Sequence, residues 1–306
     1  MPILGTVASS FDNTPVVTGL FAGGVYGYVN VIDSINISTT GNATDFGDLL
    51  RSKMAMATAG SSTRGVFSGG DTGGFINEIG YITYATAGNE TDFGDLSVNR
   101  GSGPAGASSS TRGVFGGGRN SGTRYITIDY ITIASTGNAT NFGNMTTQRG
   151  DVGGGFISSS TRGIFVGGDE PNRIGKMDYI TIASTGDATN FGNASGRTEE
   201  HGMCSSSTRG VFLGGSQGGR QERIDYITIA TTGNSVYFGD ISWSQQGAGC
   251  SSPTRGVFAL GGILDSVQSN SMEYITIATT GNTTDFGDLT VAVYSRAGVS
   301  NGHGGL

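Results

Sequence analysis

The pentapeptide Thr63-Arg64-Gly65-Val66-Phe67 returns as Thr111-Arg112-Gly113-Val114-Phe115, Thr161-Arg162-Gly163-Ile164-Phe165, Thr208-Arg209-Gly210-Val211-Phe212 and Thr254-Arg255-Gly256-Val257-Phe258. Its arginines stand 48, 50, 47 and 46 residues apart. A degenerate copy, Val17-Thr18-Gly19-Leu20-Phe21, comes first, with Phe21 46 residues before Phe67. Self-similarity at such a period marks a repeat architecture, in which each unit buries its faces against its neighbours. Two more phrases keep the same beat. Tyr-Ile-Thr-Ile begins at Tyr130, Tyr179, Tyr226 and Tyr274, and reads Tyr-Ile-Thr-Tyr at Tyr81 and Ser-Ile-Asn-Ile at Ser34. Phe-Gly followed by Asp or Asn begins at Phe46, Phe93, Phe142, Phe191, Phe238 and Phe286. The first and third phrases together hold 12 of the 15 phenylalanines, so the aromatic core is laid down once per repeat.

The third copy predicts four strands: Ala105 to Ser109, Gly113 to Gly117, Ile128 to Ser135 and Asn141 to Thr146. Ile131 and Ile133 alternate with Tyr130 and Thr132, as a strand with two faces to bury requires. Gly137-Asn138 suits the turn between the last two strands. Four short strands per unit suit radial blades, so the expected fold is an all-β propeller of six blades, with units near 16–58, 59–106, 107–156, 157–203, 204–249 and 250–306. The Gly-Gly pairs ending the second strand, such as Gly69-Gly70 and Gly117-Gly118, allow close backbone approach where blades converge. An open solenoid is the structural alternative and would need polar capping repeats. Arg296-Ala297-Gly298-Val299-Ser300 reads like the start of a further unit, so it is expected to supply the innermost strand of blade 1, leaving residues 1–15 as an arm. Thr6 to Ser9 is the other candidate for that strand.

The chain holds 56 glycines and 5 prolines, without a Gly-X-Y period, which excludes collagen. With 24 acidic and 17 basic residues it carries a net charge of −7, which argues against electrostatic binding of nucleic acid or anionic membrane. No apolar run is long enough to cross a bilayer, and Met1 to Thr6 lacks a secretory pattern, so synthesis in a cytoplasm is expected.

Chemistry finds few residues to use, and neither an enzyme nor a cofactor is expected. The two histidines are His201 and His303; His201 and Cys204 fall far short of a zinc set. Cys204 and Cys250 occupy a repeat position that elsewhere holds Ala59, Ala107 and Ile157, which makes it an apolar packing site. Arg64, Arg112, Arg162, Arg209 and Arg255 sit in a repeated tight turn, where their guanidinium groups can bond carbonyls or carboxylates between blades. The pairs Asp45/Asp48, Asp92/Asp95 and Asp285/Asp288 offer calcium-type oxygens, but become Asn141/Asn144 and Asn190/Asn193 in two copies, which favours a turn-stabilising role over a metal site. The Asn-x-Thr triplets at Asn42, Asn89, Asn138 and Asn282 fall in the repeated turn and read as hairpin chemistry.

Antiparallel strands put the nearly unchanged Ser-Ser-Thr-Arg and Thr-Gly-Asn-x-Thr turns on one rim of the disc. The variable loops between second and third strands, and the links between blades (Thr198 to His201 and Ser242 to Gln246 among them), share the other. Recognition usually resides in loops on a rigid scaffold, and Arg, Tyr and Trp are enriched at binding hot spots. Arg119, Arg124, Tyr125, Glu170, Arg173, Arg220, Arg223 and Trp243 are therefore the candidate partner-binding residues.

The order of small strand, apolar-Phe-x-Gly-Gly, loop, Tyr-bearing strand and short aromatic strand resembles the kelch repeat over about 16–306. Phe142 stands where kelch units carry a tryptophan. The copper-dependent oxidases of that group need Tyr and His ligands that two histidines do not supply. The block Tyr274 to Asp288 is similar to repeats in structural proteins of marine tailed bacteriophages, cyanophages especially, and Ile3 to Ser10 resembles the start of phage tail-appendage proteins. These resemblances imply a non-enzymatic virion component: a tail fibre, receptor-binding tip or decoration present in many copies. Residues 1–15 would attach it to other virion proteins, and its variable rim would meet a host-surface glycan or a neighbouring virion protein. A carbohydrate-binding or oxidase-like propeller with a cryptic site is the alternative function, and a kelch-style peptide adaptor a third.

Overall fold

The computed structural model describes residues 16–153, 156–196, 202–213, 221–244, 246–264 and 267–306. Residues 1–15, Arg220 and His201 lie outside them, and Trp243 is described in its backbone alone. Among the described residues six four-stranded antiparallel sheets stand as the blades of a propeller, and three two-stranded hairpins lie beside them. Blade 2 is typical: Ala57–Gly60 innermost, then Arg64–Ser68, Glu78–Thr83 and Thr91–Asp95 outermost. Blade 3 repeats it with Ala105–Ser108, Arg112–Gly116, Thr127–Thr132 and Thr140–Asn144, and blade 4 with Ile157–Ser158, Arg162–Val166, Lys176–Thr181 and Thr189–Asn193. Blade 5 comprises Met203–Ser205, Arg209–Leu213, Gln221–Thr228 and Val236–Ser244; blade 6 comprises Ala248–Ser251, Arg255–Ala259, Ser271–Thr276 and Thr284–Asp288. In blade 1 the last strand of the chain, Ala297–Ser300, pairs antiparallel with Thr18–Ala22, followed by Val31–Asn36 and Thr44–Asp48. Each innermost strand touches the innermost strands of both neighbouring blades, so the ring is closed.

The cores lie between blades. Phe67 of blade 2 is fully buried among Leu20, Ile32, Phe46 and Leu49 of blade 1. Phe115 of blade 3 packs in the same way with Ala59, Val66, Ile79, Phe93 and Leu96 of blade 2. Two phenylalanines per gap thus come from the two phrases that carry them. The third-phrase Phe reaches its core through a β-bulge: in blade 3, Ile128 pairs Gly143 and Asp129 pairs Asn141, which leaves Phe142 as the extra residue. In blades 2 to 6 the half-buried Tyr and buried Phe meet edge to face, as in Tyr130–Phe142 at 6.0 Å.

The repeated residues mostly join one blade to the next. Arg64 lies over the ring of its own Tyr81 at 4.4 Å and donates to the carbonyl of Ile133 in blade 3 at 2.9 Å. Arg112, Arg162, Arg209 and Arg255 repeat both contacts, on Tyr130, Tyr179, Tyr226 and Tyr274 and on the carbonyls of Ile182, Ile229, Ile277 and Ile37. Blade 1, with Thr18 and Ser34 at these positions, has neither group. The turn before each arginine is held by a serine: Ser61 Oγ accepts from the Thr63 and Arg64 amides.

Outer sheet edges are covered by the following blade. Gly137 and Ala139 donate to the carbonyls of Phe93 and Asp95, and Asn138 Oδ1 accepts the Asp95 amide at 3.0 Å. Asn42, Asn89, Asn234 and Asn282 repeat the last bond, with Asp187 in the same place. The approach is close enough that a Cβ on Gly94, whose φ is +143°, would stand 2.5 Å from the Gly137 carbonyl, which explains the constant Phe-Gly. Gly69 has a similar restriction: its φ is +65° and a Cβ would meet the Arg100 carbonyl at 2.3 Å. The double glycine therefore admits the link that joins two blades.

The cysteine position is a wedge between innermost strands and their neighbours. A Cβ built on Gly163 would meet Ala107 at 2.5 Å, on Gly256 would meet Cys204 Sγ at 2.4 Å, and on Gly19 would meet Cys250 Sγ at 2.6 Å. Both cysteines are free and buried, and burial pushes their thiols up.

Candidate functional site

Six buried or half-buried carboxylates, one per blade, hold the links onto the disc. Asp129 accepts the amide and hydroxyl of Ser97, and Asp178 those of Thr146, each from the link entering its blade. A buried arginine from the same link completes the clamp: Arg100 meets Asp129, Gly117 O and Thr127 O, and Arg149 meets Asp178, Gly167 O and Lys176 O. Arg296 and Asp33 repeat the pair in blade 1 at 3.1 Å. Burial lowers all three arginines, and the carboxylates oppose that shift. In blade 5 Asp225 accepts from Ser195, Ser235 and Arg223; in blade 6 Glu273 accepts from Ser242 and Thr283.

Blade 2 solves the same problem with different residues. Gly80 replaces the aspartate, and Glu90, from the neighbouring turn, puts its carboxylate where a Gly80 side chain would be, 2.1 Å from the built Cβ. Glu90 accepts the Leu50 amide at 2.8 Å and Lys53 at 3.2 Å. Burial raises the Glu90 carboxyl, against the pull of Lys53. Sequence reading missed this whole set. An acid directly before the repeated tyrosine, as at Asp129, Asp178 and Asp225, was the available signal.

The axis is occupied at the turn end by the C-terminal tail. Gly304 donates to the Ser205 carbonyl at 3.0 Å, and His303, 2% exposed, reaches blades 2, 3 and 4. Its Nε2 donates to the Gly60 carbonyl at 2.9 Å and lies 3.5 Å from Ser108 Oγ, its Nδ1 accepts the Gly305 amide at 3.0 Å, and its ring stands edge-on to Phe156 at 4.5 Å. Both nitrogens are satisfied by a neutral imidazole, and burial lowers its pKa to about 4. Around the tail, strand-end serines bond in sequence: Ser108 Oγ accepts the Gly60 amide, Ser158 Oγ that of Ser108, Ser205 Oγ that of Ser158.

At the loop end, links bond to links. Ala55 donates to Ser295 O, Gly103 to Ala55 O, Asp151 to Ser102 O and Ser295 to Gln246 O. Ala55, Ser102, Asp151, Gln246 and Ser295 are all left-handed, with φ between +44° and +57°. A cavity of about 20 Å³ beside Ala55, Gln246 and Ser295 has room for one water.

The loop rim brings some candidate residues together and separates others. In blade 3 the loop folds into a small hairpin, Arg119–Asn120 against Thr123–Arg124. Arg119 Nη1 lies 3.2 Å from Asp151 of the next link, and Arg124 bonds Asp169 of blade 4. These cations therefore tie loop to loop across two blades. Hydrogen bonding to Asp169 raises Arg124. Tyr125 serves through its backbone, donating to Gly118 O and accepting from the Arg149 amide. Glu170 and Arg173 belong to the blade 4 hairpin, Asp169–Glu170 against Asn172–Arg173, and line a cleft with Lys176, Asn190 and Asn193. Arg223 stands apart in blade 5, over the Tyr237 ring at 4.9 Å and bonded to Asp225 at 2.8 Å. The outer strand of blade 5 runs on to Ser244 because Gln221 pairs with Ser244, so Ser242, Trp243 and Ser244 extend a strand where a link was expected.

Among the described residues no three His, Cys, Asp or Glu side chains are grouped to hold a metal ion. No family model matches the chain, and no curated protein matches it.

Proposed function

We propose that this propeller is a non-enzymatic structural component of a bacteriophage virion, a kelch-like disc that mediates adhesion or assembly through the variable loops of one rim. The observation that carries the binding part is the division of labour between the rims. The repeated arginines, serines and asparagines of the turn rim are engaged in joining blade to blade, and the turn end of the axis holds the chain's own tail. The loop rim carries the variation, on a scaffold closed by a terminal strand. The virion setting is supported by the likeness of Tyr274 to Asp288 to repeats of phage structural proteins. Residues 1–15 would attach the disc to other virion proteins, and avidity would come from many copies.

Labelling of the chain in intact particles, with imaging and copy counting, tests the setting: many copies at a fixed site on each particle are expected. A soluble host protein unassociated with particles refutes it. A carbohydrate-binding propeller is the second reading, favoured by the polar cleft of blade 4.

A further inference from the structure

We propose that the blade 4 cleft binds an acidic carbohydrate, a sugar bearing carboxylate or sulfate. The inference rests on the reading of the loop rim as the contact surface and names its ligand class. The cleft measures about 500 Å³, within the roughly 300–1,000 Å³ range of small-ligand sites. Its walls include Glu170, Asn172, Arg173, Lys176, Asn190 and Asn193. Three carboxamides each offer a donor and an acceptor, which suits vicinal hydroxyls, and Glu170 adds an acceptor. The Lys176 ammonium offers a point charge for a carboxylate or sulfate.

A further observation points to this cleft. Asn190 and Asn193 also hold the positions of Asp45/Asp48, Asp92/Asp95 and Asp285/Asp288 in blades 1, 2 and 6. Two carboxylates there would repel an anion in the cleft. Blade 3 shares the change, as Asn141/Asn144, yet its loop cations Arg119 and Arg124 are already paired with Asp151 and Asp169. Lys176 has no ion-pair partner among the described residues. Loss of the acidic pair and a lysine without an ion-pair partner among the described residues thus coincide in blade 4.

The test uses the full chain on an array of uronate-rich, sialylated, sulfated and neutral glycans, followed by calorimetry with the best acidic oligosaccharide. Asn190→Asp/Asn193→Asp restores the residues that three sibling blades carry, so folding is retained. It should weaken binding about tenfold, as should Lys176→Glu, with a dependence on salt. Asn141→Asp/Asn144→Asp in blade 3 should change nothing. Binding to one acidic class identifies the charge group. No binding to any acidic glycan, equal binding to neutral ones, or full affinity in Asn190→Asp/Asn193→Asp overturns the proposal. If the array is blank while the disc is still found on particles, this inference fails and the virion reading stands.

Discussion

His303 should make the plugged ring sensitive to acid. Neutral, it donates from Nε2 to Gly60 and accepts at Nδ1 from Gly305. A proton on Nδ1 would set two donors against each other in a site with no compensating charge among its causes of shift. The folded pKa of about 4 lies below the ordinary 6.5, so the unfolded chain takes up the proton first as pH falls. Stability from this group is therefore complete above pH 6.5, declines between 6.5 and 4, and is lost below 4. The gap is worth roughly 3 kcal/mol in full and about 2 kcal/mol at pH 5, at 1.36 kcal/mol per unit. Carboxylates titrate nearby in pH, so the measurement is a difference: urea unfolding of wild type and of His303→Ala from pH 7.5 to 3.5. The wild-type advantage should shrink by that amount across the window. Hydrogen exchange at Gly304 and Gly305 distinguishes local release of the tail from global unfolding, since release would raise exchange there first. A pH-independent difference, or one that grows on acidification, refutes the reasoning.

Three other predictions follow from the interblade contacts. Arg162→Ala removes the bond to Ile229 O and the contact with Tyr179 and should cost about 2 kcal/mol in thermal or urea unfolding. Arg149→Ala leaves Asp178 buried and unpaired, for a loss of roughly 3–5 kcal/mol; adding Asp178→Asn should restore part of that loss. Gly163→Ala should cost about 1–3 kcal/mol by overpacking against Ala107, and Ala107→Gly should partly rescue it, a pairing that a double-mutant cycle reads directly.

Periodicity carried the architecture because a propeller stores the same instruction in every blade. Phe67 and Phe93, or Phe115 and Phe142, could be placed in interblade gaps from spacing alone. Three things were not legible. The Arg100–Asp129 clamp joins residues of modest local meaning, and its blade 2 version changes all three participants, Gly80, Glu90 and Lys53, so no single column of the repeat reveals it. The tail looked like a glycine-rich end because the surroundings of His303 come from Gly60, Ser108 and Phe156, which are far from it in the chain. The loop cations read as free hot spots, but Arg119 and Arg124 find Asp151 and Asp169 across a blade boundary that only the ring creates.

The same contacts explain how one rim can vary while the disc persists. A loop between second and third strands contributes little to the interblade cores, which are filled by Phe, Ile and Val of the strands. The link beneath it is held independently, by a buried carboxylate and the hydroxyl or amide that carboxylate captures. Blade 2 shows how strongly that anchor is constrained: the acid moved from the third strand to the adjoining turn, the cation changed from arginine to lysine, and the link is still gripped at Leu50. Loop residues above such an anchor are not needed to hold the link, even where, as at Arg119 and Arg124, they tie one loop to the next, whereas a change in the anchor must be matched by another. Sequence variation can then accumulate where a partner would be met, and the cleft of blade 4 is a place where it has changed the charge of the surface.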